Sequence, residues 1–202
     1  MDWIIQLKDK TTSVMDDLKG FPVPSSPDKG YVLLAAQQES GRGSLGRLWS
    51  SPIGGLYAGI LLRPLLPARN ISRMTLLSAV AVCEALNQQK KFKAKIKWPN
   101  DVLVDGKKIA GILIESETSG STVEKIIIGI GINVNTVIRD LPGNAVSLKH
   151  LTGVEYNLED FLNSILKRFE FLYEDAVKND FDEVFNRWRQ LSCHPEMNID
   201  LH

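Results

Sequence analysis

Four stretches of this chain hold side chains whose types and spacing could act on an anion. The first, "QESGRGSLGRLWSSPIGG" (residues 38–55), carries five glycines, two arginines and Trp49. Glycine lets backbone N–H groups approach a ligand closely, and successive N–H groups in a turn form an anion-binding concavity. Arg42 and Arg47 add fixed charge as forked donors suited to carboxylate or phosphate. The segment therefore predicts a lid that closes over an anionic ligand, although a solvated loop has the same composition. It is not a P-loop, because GxxxxGK[ST] is absent, and it does not open a helix after a strand as a dinucleotide fingerprint would.

The second stretch is "KWPND" (residues 97–101). A Trp-Pro step predicts an extended Trp98 and sets Asn100 and Asp101 at the mouth of an apolar strand. Asp101 has the chemistry to hold a divalent cation or a ribose hydroxyl, and Asn100 to contact phosphate oxygens; an ordinary turn after proline fits equally. Third come Lys107 and Lys108. Two-residue alternation turns one of them inward, with Ile109, Gly111 and Leu113 opposite to Lys108, Ala110 and Ile112. An inward lysine is a point charge for an anion; an outward one is a common edge-strand device. In "GIGINVN" (residues 129–135), Gly129, Gly131 and Asn133 lie at a strand end, where a ring or phosphate could approach the backbone; a strand relaxing into a loop reads the same way.

The elements that must position these groups follow from periodicity and punctuation. TTSVMDDLK (11–19) predicts a short helix begun by a hydroxyl cap, and GFPVPSSPDKG a loop. YVLLAA (31–36) and LYAGILL (56–62) read as buried strands. Asn70 can cap a largely buried helix over 71–89. VLV and KIAGILIE, joined by Asp105-Gly106, predict a tight two-residue hairpin that brings Lys108 near Trp98–Asp101. VEKIIIGIGINVN (123–135) is a further strand. Asn157 can cap LEDFLNSILKRFEFLYEDAV, apolar at helical spacing. DFDEVFNRWRQL opens with Asp180 and Glu183 as a capping-box pair. The sum is an α+β fold, a mixed and largely antiparallel sheet with helices packed on one side. SCHPEMNIDLH (192–202) has no period and is expected to fray.

Bulk properties narrow the function classes. The chain has 202 residues, 24 positive and 24 negative side chains, and no net charge. Any anion site must therefore be local, and no polybasic nucleic-acid surface is expected. No apolar run approaches the ~18 residues of a membrane span, and the N-terminus lacks the features of a secretion signal. Cys83 and Cys193 have no metal-ligand spacing and fit a reducing, cytoplasmic compartment.

Taken together and in this order, "GRGSLGRLWSSPIGGLY", "KWPNDVLVDGKKIAGILIE", "GIGINVN" and Ser147-Leu148 resemble the catalytic domain of biotin protein ligases, over residues from about 10 to about 190. The resemblance implies the fold that this family shares with class II aminoacyl-tRNA synthetases, and a two-step reaction. The carboxylate of biotin attacks the α-phosphate of ATP, with Mg²⁺, to give biotinyl-AMP and pyrophosphate. A lysine of a biotin carboxyl carrier domain then takes the biotinyl group and releases AMP.

It also implies roles. Thr11, Thr12 and Ser13 stand where the family has Ser-Thr-Asn against the ureido ring, and Gln38 matches a pocket glutamine. Gly41, Arg42, Gly43 and Ser44 form the biotin side of the loop, with Arg42 near carboxylate and phosphate. Arg47 and Trp49 match residues around the nucleotide. Asn100 and Asp101 would meet phosphate, ribose or metal, with Asp101 the candidate Mg²⁺ ligand. Lys108 would bridge carboxylate and phosphate and, with Arg42, be catalytic. Gly111 and Gly131 would give backbone access, and Asn133 would meet the nucleotide.

This sequence departs from the family at three places. Ser44 stands where the family loop commonly has arginine, which predicts looser retention of the adenylate. TTS replaces STN. The expected domain is 1–191 with a tail over 192–202, without the family's winged-helix N-terminal domain or its small β-rich C-terminal domain, so no repressor role is expected. A homodimer through the sheet edge is a family analogy. Two other readings stay open: a lipoate- or octanoate-handling transferase of the same fold, and a non-catalytic binder of biotin or biotinyl-adenylate.

Overall fold

The computed structural model describes residues 1–194. Seven strands form one sheet: β1 (Asp2–Lys8), β2 (Lys29–Ala35), β3 (Leu56–Leu62), β4 (Ala94–Lys97), β5 (Asp101–Val104), β6 (Lys107–Ser119) and β7 (Thr122–Ile132), in the spatial order β1-β2-β3-β7-β6-β5-β4. β1 runs parallel to β2 and every other neighbouring pair is antiparallel. The mixed, largely antiparallel α+β expectation therefore holds. All seven residues of β3, LYAGILL, are buried, as its continuous apolar run requires for a central strand covered on both faces.

Among the described residues there are five α-helices: α1 (Val14–Lys19), α2 (Ile71–Asn87), α3 (Leu148–Thr152), α4 (Leu158–Asn179) and α5 (Asp182–Leu191). The apolar stripes of α2, α4 and α5 share one core with inward residues of the sheet, among them Ile60, Ile96, Ala110, Ile112 and Ile130. The short α1 lies on the other face, where Val14, Met15 and Leu18 pack on Leu33, Leu61 and Ile127. The long helices thus occupy one side as expected, and α1 leaves the rest of the opposite face available for a site.

The punctuation signals hold where their chemistry is strong. Asp105 and Gly106 have φ of 49° and 76°, both positive as a type I′ hairpin turn demands. Asn157 caps α4, its side chain accepting from the Asp160 N–H at 3.0 Å. Ser13 and Asn70 stand at the N-caps of α1 and α2, but neither side chain makes a capping bond. The expected Asp180–Glu183 box does not form: Asp180 and Phe181 both take left-handed backbone angles, Asp180 pairs with Arg73 at 2.9 Å and Glu183 with Arg187 at 2.7 Å.

Two edge strands were not anticipated. β1 (DWIIQLK) has no clean alternation, and Ile4, Ile5 and Leu7 are exposed. β4 (AKIK) is short, with Ala94 and Ile96 turned into the core. The chain beyond α5 is not loose where described: Ser192 bridges to Ile96, and the Cys193 N–H donates to the Ile96 carbonyl at 2.8 Å. The remainder of the expected tail, 195–202, lies outside the described residues. Cys83 and Cys193 are both free thiols, Cys83 buried and pushed up to about 12 by burial. No helix among the described residues is long and apolar enough to cross a membrane.

Candidate active site

The glycine-rich segment is folded back on itself. Arg42 and Leu48 form an antiparallel bridge; the Gly43 N–H donates to the Arg47 carbonyl at 2.7 Å and the Trp49 N–H to the Gly41 carbonyl at 2.8 Å. The reversal passes through Leu45 and Gly46, with φ of 58° and 72°. Both ends of this small hairpin are pinned. The Gln38 amide donates to Ser51 Oγ at 2.8 Å while its oxygen accepts from the Val14 N–H at 3.0 Å. Tyr57, buried under the hairpin's exit, donates to the Pro52 carbonyl at 2.6 Å. Gln38 thereby ties the start of α1 to the end of the hairpin.

The hairpin lays Trp49 onto the sheet. A Cβ at Gly131 would stand 2.5 Å from the indole, and one at Gly111 would stand 2.8 Å from it. The two glycines are thus the floor on which Trp49 rests. Gly111 and Lys108 face the same way: the Gly111 Cβ position is 3.2–3.3 Å from the end of the Lys108 side chain. The simple alternation, which put them on opposite faces, is corrected by an irregularity in β5–β6. Leu103 pairs with Lys108 and Val102 with Ala110, so Ile109 is an extra residue. A bulge of this kind shifts the phase of a strand by one.

Two clefts meet at Trp49 and Lys108. One, narrow and of about 40 Å³, is walled by Val14, Met15, Gln38, Gly129, Gly131 and Leu113, with Arg42, Gly43, Ser44 and Asn100 at its rim. The other, of about 270 Å³, is walled by Leu48, Ser50, Lys97, Asp101, Asn133 and the loop from Leu141 to Ala145. Lys108 lines both, as does Trp49. Its ammonium lies 5.0 Å from the Trp49 ring centroid and 2.6 Å from the Asp101 carboxylate. One cation, held by an acid and an aromatic face, therefore sits at the junction of a narrow cleft and a wider one.

The other expected residues divide. Asn100 lines the first cleft, and its amide donates to the Ile112 carbonyl at 2.8 Å. Asn133 is buried, donating to the Val146 carbonyl at 3.1 Å, and anchors the loop that floors the second cleft. Arg42 is ion-paired with Asp16 at 2.6 Å and with Glu115. Thr11, Thr12, Ser13 and Gly41 do not line the first cleft: Thr11, Ser13 and Gly41 are buried and Thr12 is exposed. Thr11 donates to Asp17 at 2.6 Å. Burial pushes the Asp17 carboxyl up, but the Thr11 hydroxyl and Lys8 outweigh it and leave the carboxyl below its ordinary value. The Ser13 hydroxyl is fully buried without a hydrogen-bond partner. Arg47 stands away from both clefts, folded onto Ser44 with its guanidinium donating to Ser44 Oγ at 2.9 Å. For metal, Asp101 is a single carboxylate already paired with Lys108, and no group of three metal-ligating side chains occurs among the described residues.

Sequence reasoning missed Glu115 and Asp16, the two acids that hold Arg42. It also missed Met15, whose sulfur would stand 2.6 Å from a Cβ at Gly129, and the 141–145 loop. Only "GILIE" hinted at Glu115, as a charge ending an apolar run.

Comparison with known proteins places the chain in a family. Residues 7–133 match the model of the "Biotin/lipoate A/B protein ligase family". The chain belongs to that family. It is 36% identical over 165 residues to the Bacillus subtilis "Bifunctional ligase/repressor BirA", with 79% of this chain and 51% of the relative covered. It is 33% identical over 163 residues to the "Biotin--[acetyl-CoA-carboxylase] ligase" of Paracoccus denitrificans, 77% and 68% covered. The chain thus spans about half the length of the Bacillus relative. The Aquifex aeolicus biotin protein ligase solved in complex with biotin and ATP superposes with a TM-score of 0.78 at 32% identity, over 96% of this chain and 79% of that one. The fold of this chain is thus shared with a protein crystallised in complex with biotin and ATP.

Proposed function

We propose that this chain activates biotin with MgATP to biotinyl-AMP and transfers the biotinyl group to a lysine of a biotin carboxyl carrier domain. The observation that carries the reading is the junction itself: one ammonium, Lys108 Nζ, faces both clefts at once. Biotin lies in the narrow cleft, its ring against Met15, Leu113 and Gly129. The ureido group lies toward the start of α1, where Gln38 lines the cleft and the buried, unpartnered Ser13 hydroxyl, beside Thr11 and Thr12, must turn outward to meet it. Its carboxylate points to the junction. ATP lies in the wider cleft with Asn133 and the 141–145 loop beneath it, and with Asn100 and Asp101 near the phosphates. Mg²⁺ arrives with the nucleotide; a single carboxylate, Asp101, suits a metal held mainly by phosphates and water.

A carboxylate oxygen attacks the α-phosphorus, the bond to the β-phosphate oxygen breaks, and pyrophosphate leaves. Negative charge gathers between the two reactants, where Lys108 stands pre-oriented by Asp101 and Trp49. Fixed donors aimed at developing charge are the largest usual source of acceleration. The hairpin with Arg42 covers the mixed anhydride and limits its hydrolysis. An incoming lysine amine then attacks the acyl carbon, a C–N bond forms, the bond to AMP breaks, and the amine proton passes to solvent. Ser44 removes one cation from the cover, and Arg47 is turned onto it, so the adenylate is retained less tightly.

The test is incubation with ATP, labelled biotin and a carrier domain. Labelled carrier is the expected result. Soluble adenylate without labelled carrier would make the chain a binder that activates but does not transfer, and turnover of lipoate in place of biotin would move it to the other branch of the fold.

A further inference from the structure

The sequence from residue 90 to 97, KKFKAKIK, places five lysines in eight positions: Lys90, Lys91, Lys93, Lys95 and Lys97. The chain as a whole is neutral, yet none of the five pairs with an acid among the described residues. By contrast, Lys108 pairs with Asp101, and Arg42 and Lys19 pair with Asp16 and Glu115. Lys91 and Lys95 donate only to backbone carbonyls, of Thr152 at 2.8 Å and of Gln190 at 3.0 Å. Lys90, Lys93 and Lys97 are exposed.

Their arrangement follows from the strand. Ala94 and Ile96 point into the core, so Lys93, Lys95 and Lys97 share the opposite side, about 7 Å apart at the rise of a β-strand. At one end, Lys90, Lys91, Lys93 and Lys95 rim an open hollow of about 550 Å³ whose floor includes Phe92 and Leu191. At the other end, Lys97 lines the wider cleft beside Asp101 and Lys108. The result is one cationic stripe running from an outer hollow to the reaction junction. Edge lysines commonly guard a strand against unwanted pairing. Here, however, the edge of β4 is already taken by Ser192 and Cys193, both bound to Ile96. The exposed opposite edge, β1, carries Ile4, Ile5 and Leu7 instead. Edge protection does not account for where the lysines are.

We infer that the stripe is the docking surface for an acidic face of the acceptor domain, steering its lysine to the Lys108–Trp49 junction. This rests on the transfer reaction proposed above. A standard protein interface buries about 800 Å² per partner, a disc of about 16 Å radius. A protein centred on the junction covers Lys97, and its edge comes within a Debye length of ~8–10 Å of Lys93, which lies roughly 13 Å further along the strand. Charges at such a rim act mainly on encounter rate and are screened by salt.

The test uses the double variant Lys90→Glu/Lys93→Glu, both residues outside the two clefts, with a carrier domain as acceptor. Biotin-dependent pyrophosphate exchange should match the unaltered chain, while KM for the carrier rises about tenfold at low salt with kcat unchanged. The rise should shrink at high salt, and Lys90→Arg/Lys93→Arg should behave as the unaltered chain. If charge reversal disturbs folding, Lys90→Gln/Lys93→Gln carries the same test with a smaller rise. An unchanged carrier KM would overturn the inference while leaving the activation reaction standing. So would binding of single-stranded RNA that is lost in the variant with carrier KM unaltered. Absence of exchange in the unaltered chain would overturn the activation reading and this inference with it.

Discussion

The two clefts on either side of Trp49 are built differently. The narrow one is made by the sheet and α1, with Gly111, Gly129 and Gly131 from adjacent long strands and Met15 from a helix held by Gln38. The wider one is made largely by loops: Leu48 and Ser50 of the hairpin, and Leu141 to Ala145, tied down through Asn133. A cleft cut into a close-packed sheet cannot yield to an added methyl group without moving a neighbour. A cleft walled by loops changes shape more readily. Shape selectivity should therefore reside on the biotin side, and adaptability on the nucleotide side, with Lys108 and Trp49 belonging to both.

That contrast is sharpest at the shared residues. Lys108→Ala should lower adenylate formation by about 10²–10³-fold with thermal unfolding unchanged, measured by pyrophosphate exchange; near-normal exchange would remove Lys108 from the junction. Gly131→Val comes next. Its Cβ would stand 2.5 Å from the Trp49 ring, so the indole must leave. Titrations should show affinity for biotin and for nucleotide both falling, by tens-fold at least. A loss confined to one ligand would mean that Trp49 serves a single cleft.

Gly129→Ala sharpens the comparison from one side only. The new methyl would lie 2.6 Å from the Met15 sulfur, pushing a flexible side chain into the narrow cleft. Biotin affinity should fall about tenfold, while nucleotide affinity, measured alone, stays constant. Equal losses would break the proposed division. The smallest effect is expected at Glu115→Gln, which leaves Arg42 with Asp16 alone. Partly exposed ion pairs are worth about 0.2–1 kcal/mol, so adenylate should escape to solvent only a few-fold faster. No change in escape rate would show that Asp16 suffices.

The order of elements was legible because each rests on a strong local signal: the seven-residue apolar run of β3, the Asp105-Gly106 turn, and the Asn157 cap of α4. The site was legible as a set of segments but not as a surface. Nothing local marks the extra residue Ile109, yet that irregularity turns Gly111 to the side of Lys108 and makes room for Trp49. Likewise, Arg42 reads as a free cation in the sequence, because its partners Asp16 and Glu115 are 26 and 73 positions away. β1 carries no legible period because an edge strand buries few residues and selection for apolar alternation is weak there; β4 alternates, but four residues with two apolar ones are too short a run to stand out.

The central claim is that biotin and MgATP meet at one lysine between the two clefts. Exchange of labelled pyrophosphate into ATP by the purified chain, with and without biotin, measures this most directly. The account predicts exchange that depends strictly on biotin and disappears in Lys108→Ala. Exchange without biotin, or none with it, or exchange that persists in the variant, would contradict it.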